Sequence, residues 1–186
     1  MKKWVLASVL IVAAVGAGGF AWFRTSQAQP LAVGDKAPDF TATGALAGKA
    51  FDFTLSDKLK QGALVLYFFP KVFTSGCTKE AHEFAEKTSE FNRLGANVIG
   101  MSADSIDELA KFSTEECRDK FAVARASPEI IQAYGVKMLG VAMTNRTSYV
   151  IAPDGRIVMV HSALDYSQHV AKSLEAVRTL ALPAQP

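Results

Sequence analysis

Cysteine and histidine are scarce in this chain, whose 186 residues include two cysteines and three histidines. No Cys-x-x-Cys pair occurs, because the fourth position counted from Cys77 is Glu80. Dithiol exchange within such a motif is therefore excluded. The cysteines, histidines and methionines show no spacing typical of metal ligands, and no haem-ligating context is present. Cys77 therefore has no partner cysteine within its own motif.

Charge of one sign is not in excess either. The formal net charge is +2, but residues 1–30 hold three of the 20 basic groups and none of the 18 acidic ones, so the remainder carries −1. Nucleic-acid binding depends on clustered positive charge, so no nucleic-acid partner is expected. Internal repeats and low-complexity tracts are also missing, and the composition fits one globular domain.

The one long hydrophobic run lies near the N-terminus. Lys2 and Lys3 precede residues 4–23, whose only polar member is Ser8. This length is within the range that spans a bilayer and exceeds the usual apolar core of a cleaved signal. However, Ser26-Gln27-Ala28 has the small-x-small spacing of a signal-peptidase site.

An uncleaved anchor is slightly favoured over a cleaved signal, and both alternatives stay open. Both place the rest of the chain on the extracytoplasmic, periplasmic side. The predicted organisation is a signal peptide or transmembrane anchor with linker at 1–29, followed by a folded domain at 30–186. In an oxidising compartment two cysteines are commonly a structural disulfide, an interpretation that stays open for Cys117.

Apolar periodicity predicts alternating strands and helices from residue 51 onward. Strands are predicted at 51–55, 63–69, 97–102, 121–124, 147–151 and 156–161. Helices are predicted at 77–94, at 105–112 or beyond, at 128–135 and at 167–182. The run 63–69 is continuously apolar and predicts a central strand covered on both faces. From residue 63 onward the order is β-α-β-α-β-α-β-β-α, that of an α/β, thioredoxin-like fold with extra elements, and an N-terminal hydrophobic helix is predicted before it.

Several local signals support these elements. Asp104 is predicted to cap the helix at 105–112, and Ser127 to cap the next helix with Pro128 at its first position. Pro153-Asp154-Gly155 predicts a hairpin turn between the last two strands.

Cys77 follows a buried strand, a loop and Gly76, and it stands at the start of a predicted helix. Free backbone amides and the positive end of the helix dipole favour a thiolate there. A free cysteine is only a few per cent ionised at neutral pH, so a nucleophilic one needs such help.

The segment Tyr67-Phe68-Phe69-Pro70-Lys71-Val72-Phe73-Thr74-Ser75-Gly76-Cys77-Thr78-Lys79-Glu80 resembles the active-site segment of peroxiredoxins. It is most similar to the bacterioferritin-comigratory, Q-type branch. The family pattern is met by Pro70, Thr74 and Cys77, and the branch preferences by Gly76 and Glu80.

Further segments are also similar to this family, so that the resemblance covers about residues 31–180. They are 34–40, 124–134 and Asn145-Arg146-Thr147-Ser148-Tyr149. The chain departs from the branch at Val72, where Asp is usual, and at Ser75, where Pro is usual.

The resemblance implies a cofactor-free thiol peroxidase that reduces hydrogen peroxide and organic hydroperoxides. Cys77 would attack the peroxide, and Arg146 would stabilise its thiolate and the departing oxygen. Thr74 would bond the peroxide and the thiolate, Pro70 would shield the sulfur, and Glu80 would orient Arg146. The resemblance also implies a thioredoxin-like reductant and a monomer.

Attack on peroxide leaves a sulfenic acid, and Cys117 is the only other cysteine that could condense with it. Some members of the branch carry their resolving cysteine nearer the position of Ser113, about one helical turn earlier. Cys117 is therefore a candidate resolving residue. The alternative is that Cys117 is buried and inert and that an external thiol resolves Cys77.

Two other functions compete. A thioredoxin-like oxidoreductase would need a second cysteine in its Cys-x-x-Cys motif and a cis-proline facing the active cysteine. This chain has Glu80 in place of the second cysteine and no proline beside Arg146. A non-catalytic redox-sensing or metal-binding module could gather further side chains, but without recognisable ligand spacing. These are His82, His161, His169, Met138 and Met143.

Overall fold

A computed structural model describes residues 30–182. The predicted leader at 1–29 and the last four residues lie outside the described residues. Between residues 30 and 182, no helix combines the length and the apolar character needed to cross a membrane.

Seven strands form one mixed sheet in the order β2-β1-β5-β4-β3-β6-β7. They are β1 (Thr41–Leu46), β2 (Lys49–Thr54), β3 (Ala63–Phe68), β4 (Ala96–Ser102), β5 (Ala122–Arg125), β6 (Thr147–Ile151) and β7 (Ile157–Ser162). The strands β3, β4 and β5 pair in parallel, and the other pairings are antiparallel. The thioredoxin-like α/β prediction is confirmed for the described residues.

Five helices cover the two faces of the sheet. They are α1 (Leu55–Leu59), α2 (Ser75–Arg93), α3 (Ile106–Glu115), α4 (Pro128–Ala133) and α5 (His169–Ala181). The helices α2, α3 and α5 pack on one face, and α1 and α4 pack on the other.

The central strand β3 contributes to both halves of the core. All six of its residues are buried, as predicted. Alternate side chains point to opposite faces of a strand. Val65 and Tyr67 therefore join the apolar cluster that contains both cysteines, while Leu64 and Leu66 join the cluster on the other face.

The turn and cap predictions have different outcomes. Ser127 accepts a hydrogen bond from the Ile130 amide and caps α4, and β6 and β7 form the predicted antiparallel hairpin. The prediction that Asp104 caps α3 is wrong. Ser105 is the cap and forms a reciprocal capping box with Glu108, because the carboxylate of Asp104 has other partners.

Two elements are absent from the sequence-based scheme: β1 and the short helix α1. The β1 strand, with sequence TATGAL, has little apolar periodicity. Its register depends on pairing with β2 and β5 and on Gly44, where an added Cβ would lie 3.2 Å from the Cβ of Ala124. Helix α2 also begins two residues earlier than predicted, so Cys77 is its third residue.

Sheet register brings two distant segments together. Phe68, the last residue of β3, pairs with Thr147, the first residue of β6. Arg146 therefore lies beside the end of β3, where the loop that leads to α2 begins. This pairing places the only arginine of the 145–149 segment next to the start of the helix that carries Cys77.

Candidate active site

Cys77 lies in the first turn of α2 and is almost fully buried, with 2% of its surface exposed. Its sulfur accepts a hydrogen bond from Nη2 of Arg146 at 3.3 Å. Cys77 and Cys117 are both free. The sulfur therefore has a fixed positive charge beside it and the start of a helix beneath it, and both favour a thiolate.

Arg146 uses each of its three guanidinium nitrogens. Nη2 contacts Cys77, Nη1 donates to Oε2 of Glu80, and Nε donates to the carbonyl of Leu164 at 2.9 Å. Burial alone would lower the pKa of Arg146, but Glu80 and Cys77 raise it above its ordinary value. The guanidinium stays charged and is held in one orientation.

Glu80 is fully buried one helical turn after Cys77. Burial raises the pKa of Glu80 above the usual range of glutamate, and Arg146 opposes that shift. Its second oxygen, Oε1, has no hydrogen-bond partner among the described residues, although Nδ1 of His169 lies 3.7 Å away. Glu80 thus holds one end of the guanidinium through Nη1.

Thr74 and Pro70 flank this group in the loop between β3 and α2. Thr74 occupies the N-cap position of α2 and is exposed, and its hydroxyl donates to the Lys71 carbonyl at 3.0 Å. The donation toward Cys77 that the resemblance implied is absent in this conformation, while the oxygen lone pairs can still accept. Pro70 is half-buried directly after Phe69.

Known proteins share this fold and this segment. The AhpC/TSA family matches residues 33–160. Peroxiredoxin Bcp of Bacillus subtilis is 29% identical over 157 residues, which cover 80% of this chain and 96% of that protein. A chloroplastic 2-cysteine peroxiredoxin of Chattonella marina is 32% identical over 158 residues, covering 80% and 78%. The chain belongs to the AhpC/TSA family.

A solved structure agrees with this assignment. The crystal structure of the peroxidoxin BcpB from Mycobacterium tuberculosis is 31% identical, with a TM-score of 0.71 over 80% of this chain and 97% of that one. The predicted resemblance to peroxiredoxins of the bacterioferritin-comigratory branch is confirmed. The protein is a thiol-dependent peroxidase, an oxidoreductase that acts on peroxide and draws electrons from a thiol reductant.

The second cysteine of this peroxidase lies apart from the arginine cluster. Cys117 is fully buried in the turn after α3, in the same apolar cluster as Cys77. Burial raises the pKa of Cys117 well above its ordinary value, and Glu116 and Asp119 raise it further. The turn contains two residues with left-handed backbone, Arg118 (φ 53°) and Asp119 (φ 58°).

The alternative metal-binding interpretation gains no support. His82 pairs with Glu116 at 2.7 Å across the gap between α2 and the turn after α3. His161 and His169 lie side by side, with ring centroids 4.5 Å apart. Among residues 30–182, no three or more His, Cys, Asp or Glu side chains form a group that could hold a metal ion.

Sequence reasoning missed two residues that hold this site in place. Asp104 accepts hydrogen bonds from Nζ of Lys71, the Val72 amide and the Ser102 hydroxyl, at 2.7–2.9 Å. His169 lies behind Glu80, in contact with Ser148 and Ala163. The contacts of Asp104 with Lys71 and Val72, and of His169 with Ser148, have no local sequence signal, because they join segments that only the tertiary fold brings together.

Proposed function

We propose that Cys77 is the nucleophile of this peroxidase. Its thiolate attacks the terminal oxygen of a hydroperoxide, the S–O bond forms, and the O–O bond breaks. The remaining oxygen leaves as hydroxide or alkoxide and takes a proton to become water or an alcohol, and Cys77 becomes a sulfenic acid. Cysteine is oxidised by two electrons and the peroxide is reduced by two.

The contact that carries this proposal is the 3.3 Å hydrogen bond from Nη2 of Arg146 to the sulfur of Cys77. A guanidinium there stabilises the thiolate before attack and the negative charge that develops on the departing oxygen. Glu80 holds that guanidinium in place. Thr74 would accept a hydrogen bond from the peroxide, and Pro70 would shield the sulfur from bulk water.

Cys117 is proposed as the resolving residue. Its thiol condenses with the sulfenic acid of Cys77, the S–S bond forms and water leaves. Membership of the same apolar cluster supports this pairing. A disulfide requires the two α-carbons to come within ~7 Å, so the first turn of α2 is proposed to unwind before Cys77 meets Cys117. A thioredoxin-like protein would then reduce the disulfide.

The leader suggests where the enzyme acts. The apolar run at 4–23 behind two lysines supports a membrane-anchored or secreted, extracytoplasmic peroxidase with its domain at 30–186. A monomer is proposed from the branch that it resembles. Fractionation of cells, with mass analysis of the mature N-terminus, tests the anchor against the cleaved signal. Recovery of the whole chain in the cytoplasm contradicts both.

Peroxide consumption by the purified protein tests the chemistry. Wild type, Cys77→Ser and Cys117→Ala are compared with a thioredoxin system as reductant, and each is analysed by non-reducing mass spectrometry after one equivalent of peroxide. The expected result is no turnover by Cys77→Ser and an internal disulfide in the wild type only. Turnover by Cys77→Ser at the wild-type rate overturns the assignment of the nucleophile. A wild type that reaches the sulfenic acid without a disulfide overturns only the role of Cys117.

A further inference from the structure

His169 is a fully buried histidine at the first position of α5, and none of the proposed chemistry uses it. Its Nε2 lies 3.0 Å from the carbonyl oxygen of Ala163, and its Nδ1 lies 2.8 Å from the hydroxyl of Ser148. Both ring nitrogens therefore have a partner, and the ring is fixed in orientation.

The partners define the state of the ring. A carbonyl oxygen only accepts, so Nε2 carries the hydrogen. Nδ1 then has a lone pair, which accepts from the Ser148 hydroxyl. Burial lowers the pKa of His169 to about 4, so the ring is neutral near pH 7. A neutral ring in a single tautomer links Ser148 and Ala163 in a fixed geometry.

The ring is bonded to the segment that orients Arg146. Ala163, which holds Nε2 of His169, also donates its amide to the Arg146 carbonyl at 3.2 Å. The next carbonyl, that of Leu164, receives Nε of Arg146 at 2.9 Å. On the other side of the ring, Nδ1 is 3.7 Å from the unpaired oxygen of Glu80.

We propose that His169 is a positioning residue for the peroxidase centre, because it holds the Ala163–Leu164 segment and so keeps the Arg146 guanidinium against Cys77. The proposal rests on the role proposed above for Arg146 and Cys77. The side-chain hydrogen bonds of His169 go to Ser148 and Ala163 and not to Cys77, so its effect on reactivity is expected to pass through Arg146.

Other charges near the ring must be considered, because the test reads a pH profile. Glu80 faces the ring from α2, Arg146 from the edge of β6, and Asp165 from the loop before α5. His161 packs against it from β7 with the two rings tilted by 57°, and Lys172 contacts His161 at 3.2 Å. A change at His169 leaves all of these groups in the chain.

The test measures the Cys77 thiolate without peroxide. In the full-length protein carrying Cys117→Ala, Cys77 is the only cysteine, and its alkylation by iodoacetamide is followed as a function of pH. His169→Leu is expected to move the midpoint upward by about one pH unit, which slows alkylation about tenfold below the midpoint. His169→Gln can still donate to Ala163 and is expected to stay close to the parent.

The matched control is Val170→Ala, which removes a buried side chain from the next position of α5. It is expected to lower stability without moving the alkylation midpoint. If His169→Leu does not fold, His169→Asn replaces it, since the shorter amide cannot span from Ser148 to Ala163. Equal midpoints for the His169 variant and Val170→Ala overturn the proposal.

A double-mutant cycle with Arg146→Lys tests the path of the effect. If His169 acts through Arg146, His169→Leu slows alkylation about tenfold in the parent and little in the Arg146→Lys background. Equal slowing in both backgrounds overturns the proposal. Because alkylation needs no peroxide, a protein with this coupling but no peroxide reaction contradicts the proposed function and leaves the positioning role intact.

Discussion

Tyr67 is packed so closely in the core that one added atom on the neighbouring strand would clash with its ring. Its ring is fully buried between Phe84, at a centroid distance of 4.3 Å, and Gly100 on the neighbouring strand. Any Cβ at position 100 would lie 2.8 Å from the Tyr67 ring, so glycine is required there. The hydroxyl of Tyr67 has no hydrogen-bond partner among the described residues.

Tyr67→Phe is expected to leave the free energy of unfolding unchanged or to raise it by about 1–3 kcal/mol, because a buried, unpaired hydroxyl is removed. Denaturant unfolding measures this change. The matched control is Tyr149→Phe, which removes a hydroxyl that donates to the Tyr134 carbonyl at 2.8 Å. That variant is expected to lose about 1 kcal/mol. A comparable loss in Tyr67→Phe would show that its hydroxyl does have a partner.

Arg146→Lys is expected to slow the reaction of Cys77 with hydrogen peroxide by about 100-fold, measured by stopped flow. A lysine keeps the positive charge, but its single ammonium group cannot donate hydrogen bonds to Cys77, Glu80 and Leu164 in the planar geometry of a guanidinium. The control is Arg156→Lys, the same change at an exposed position in the β6–β7 turn. Similar rates for Arg146→Lys and the wild type would mean that charge alone suffices at this position.

At the scale of elements, the loop before α2 is held by the segment that follows β4. Asp104 receives the Val72 amide, at 2.9 Å, and Nζ of Lys71. The carbonyl of Lys71 in turn receives the Thr74 hydroxyl. Burial alone would raise the pKa of Asp104, but hydrogen bonds from Lys71, Ser102 and Val72 outweigh it and hold that pKa below its ordinary value.

Asp104→Ala is expected to lower the free energy of unfolding by about 2 kcal/mol, because the buried Val72 amide loses a charged acceptor. It is also expected to slow the peroxide reaction, since the loop that carries Thr74 is released. Ser105→Ala is the control: it removes the cap of α3 at a cost of about 1 kcal/mol without touching this loop. Equal peroxide rates for the two variants would contradict a role of Asp104 in holding the loop.

At the scale of the whole molecule, buried ionisable groups couple stability to pH. Burial lowers the pKa of His169 to about 4, from an ordinary value of 6.5. Between pH 6.5 and pH 4, His169 is protonated in the unfolded chain but stays neutral in the folded chain. The stability that depends on the neutral His169 is therefore lost as the pH falls through this range. Glu80 acts in the opposite sense, because its raised pKa favours the folded state in acid.

The contribution of His169 is therefore seen as a difference between proteins. Comparison of the wild type with His169→Gln by denaturant unfolding at pH 4 and pH 7 is expected to show that the wild type loses about 3 kcal/mol more in acid. The Glu80 contribution is present in both and largely cancels. Parallel pH dependence in the two proteins would mean that His169 is protonated at its ordinary pH in the folded state.

Local chemistry in the sequence by itself determined a large part of the scaffold. The apolar run of β3, the cap at Ser127 and the turn at residues 153–155 depend on neighbours a few positions apart, so they could be predicted. The segment around Cys77 carried the family resemblance, which also pointed to Arg146 and Glu80. The strand β1 could not be predicted, since its small residues show little apolar periodicity and are buried by the neighbouring strands and by α3, which only the fold brings to it.

Only the tertiary structure decided how the site is assembled. Arg146 meets Cys77 across 69 residues and Glu80 across 66, through the pairing of β3 with β6. Asp104 was expected to cap a helix, but folding brought the Val72 amide to its carboxylate, and Ser105 became the cap. His169 carried no sequence signal for its place behind Glu80. Partners far apart in the chain are chosen by packing and register, and no local pattern encodes either.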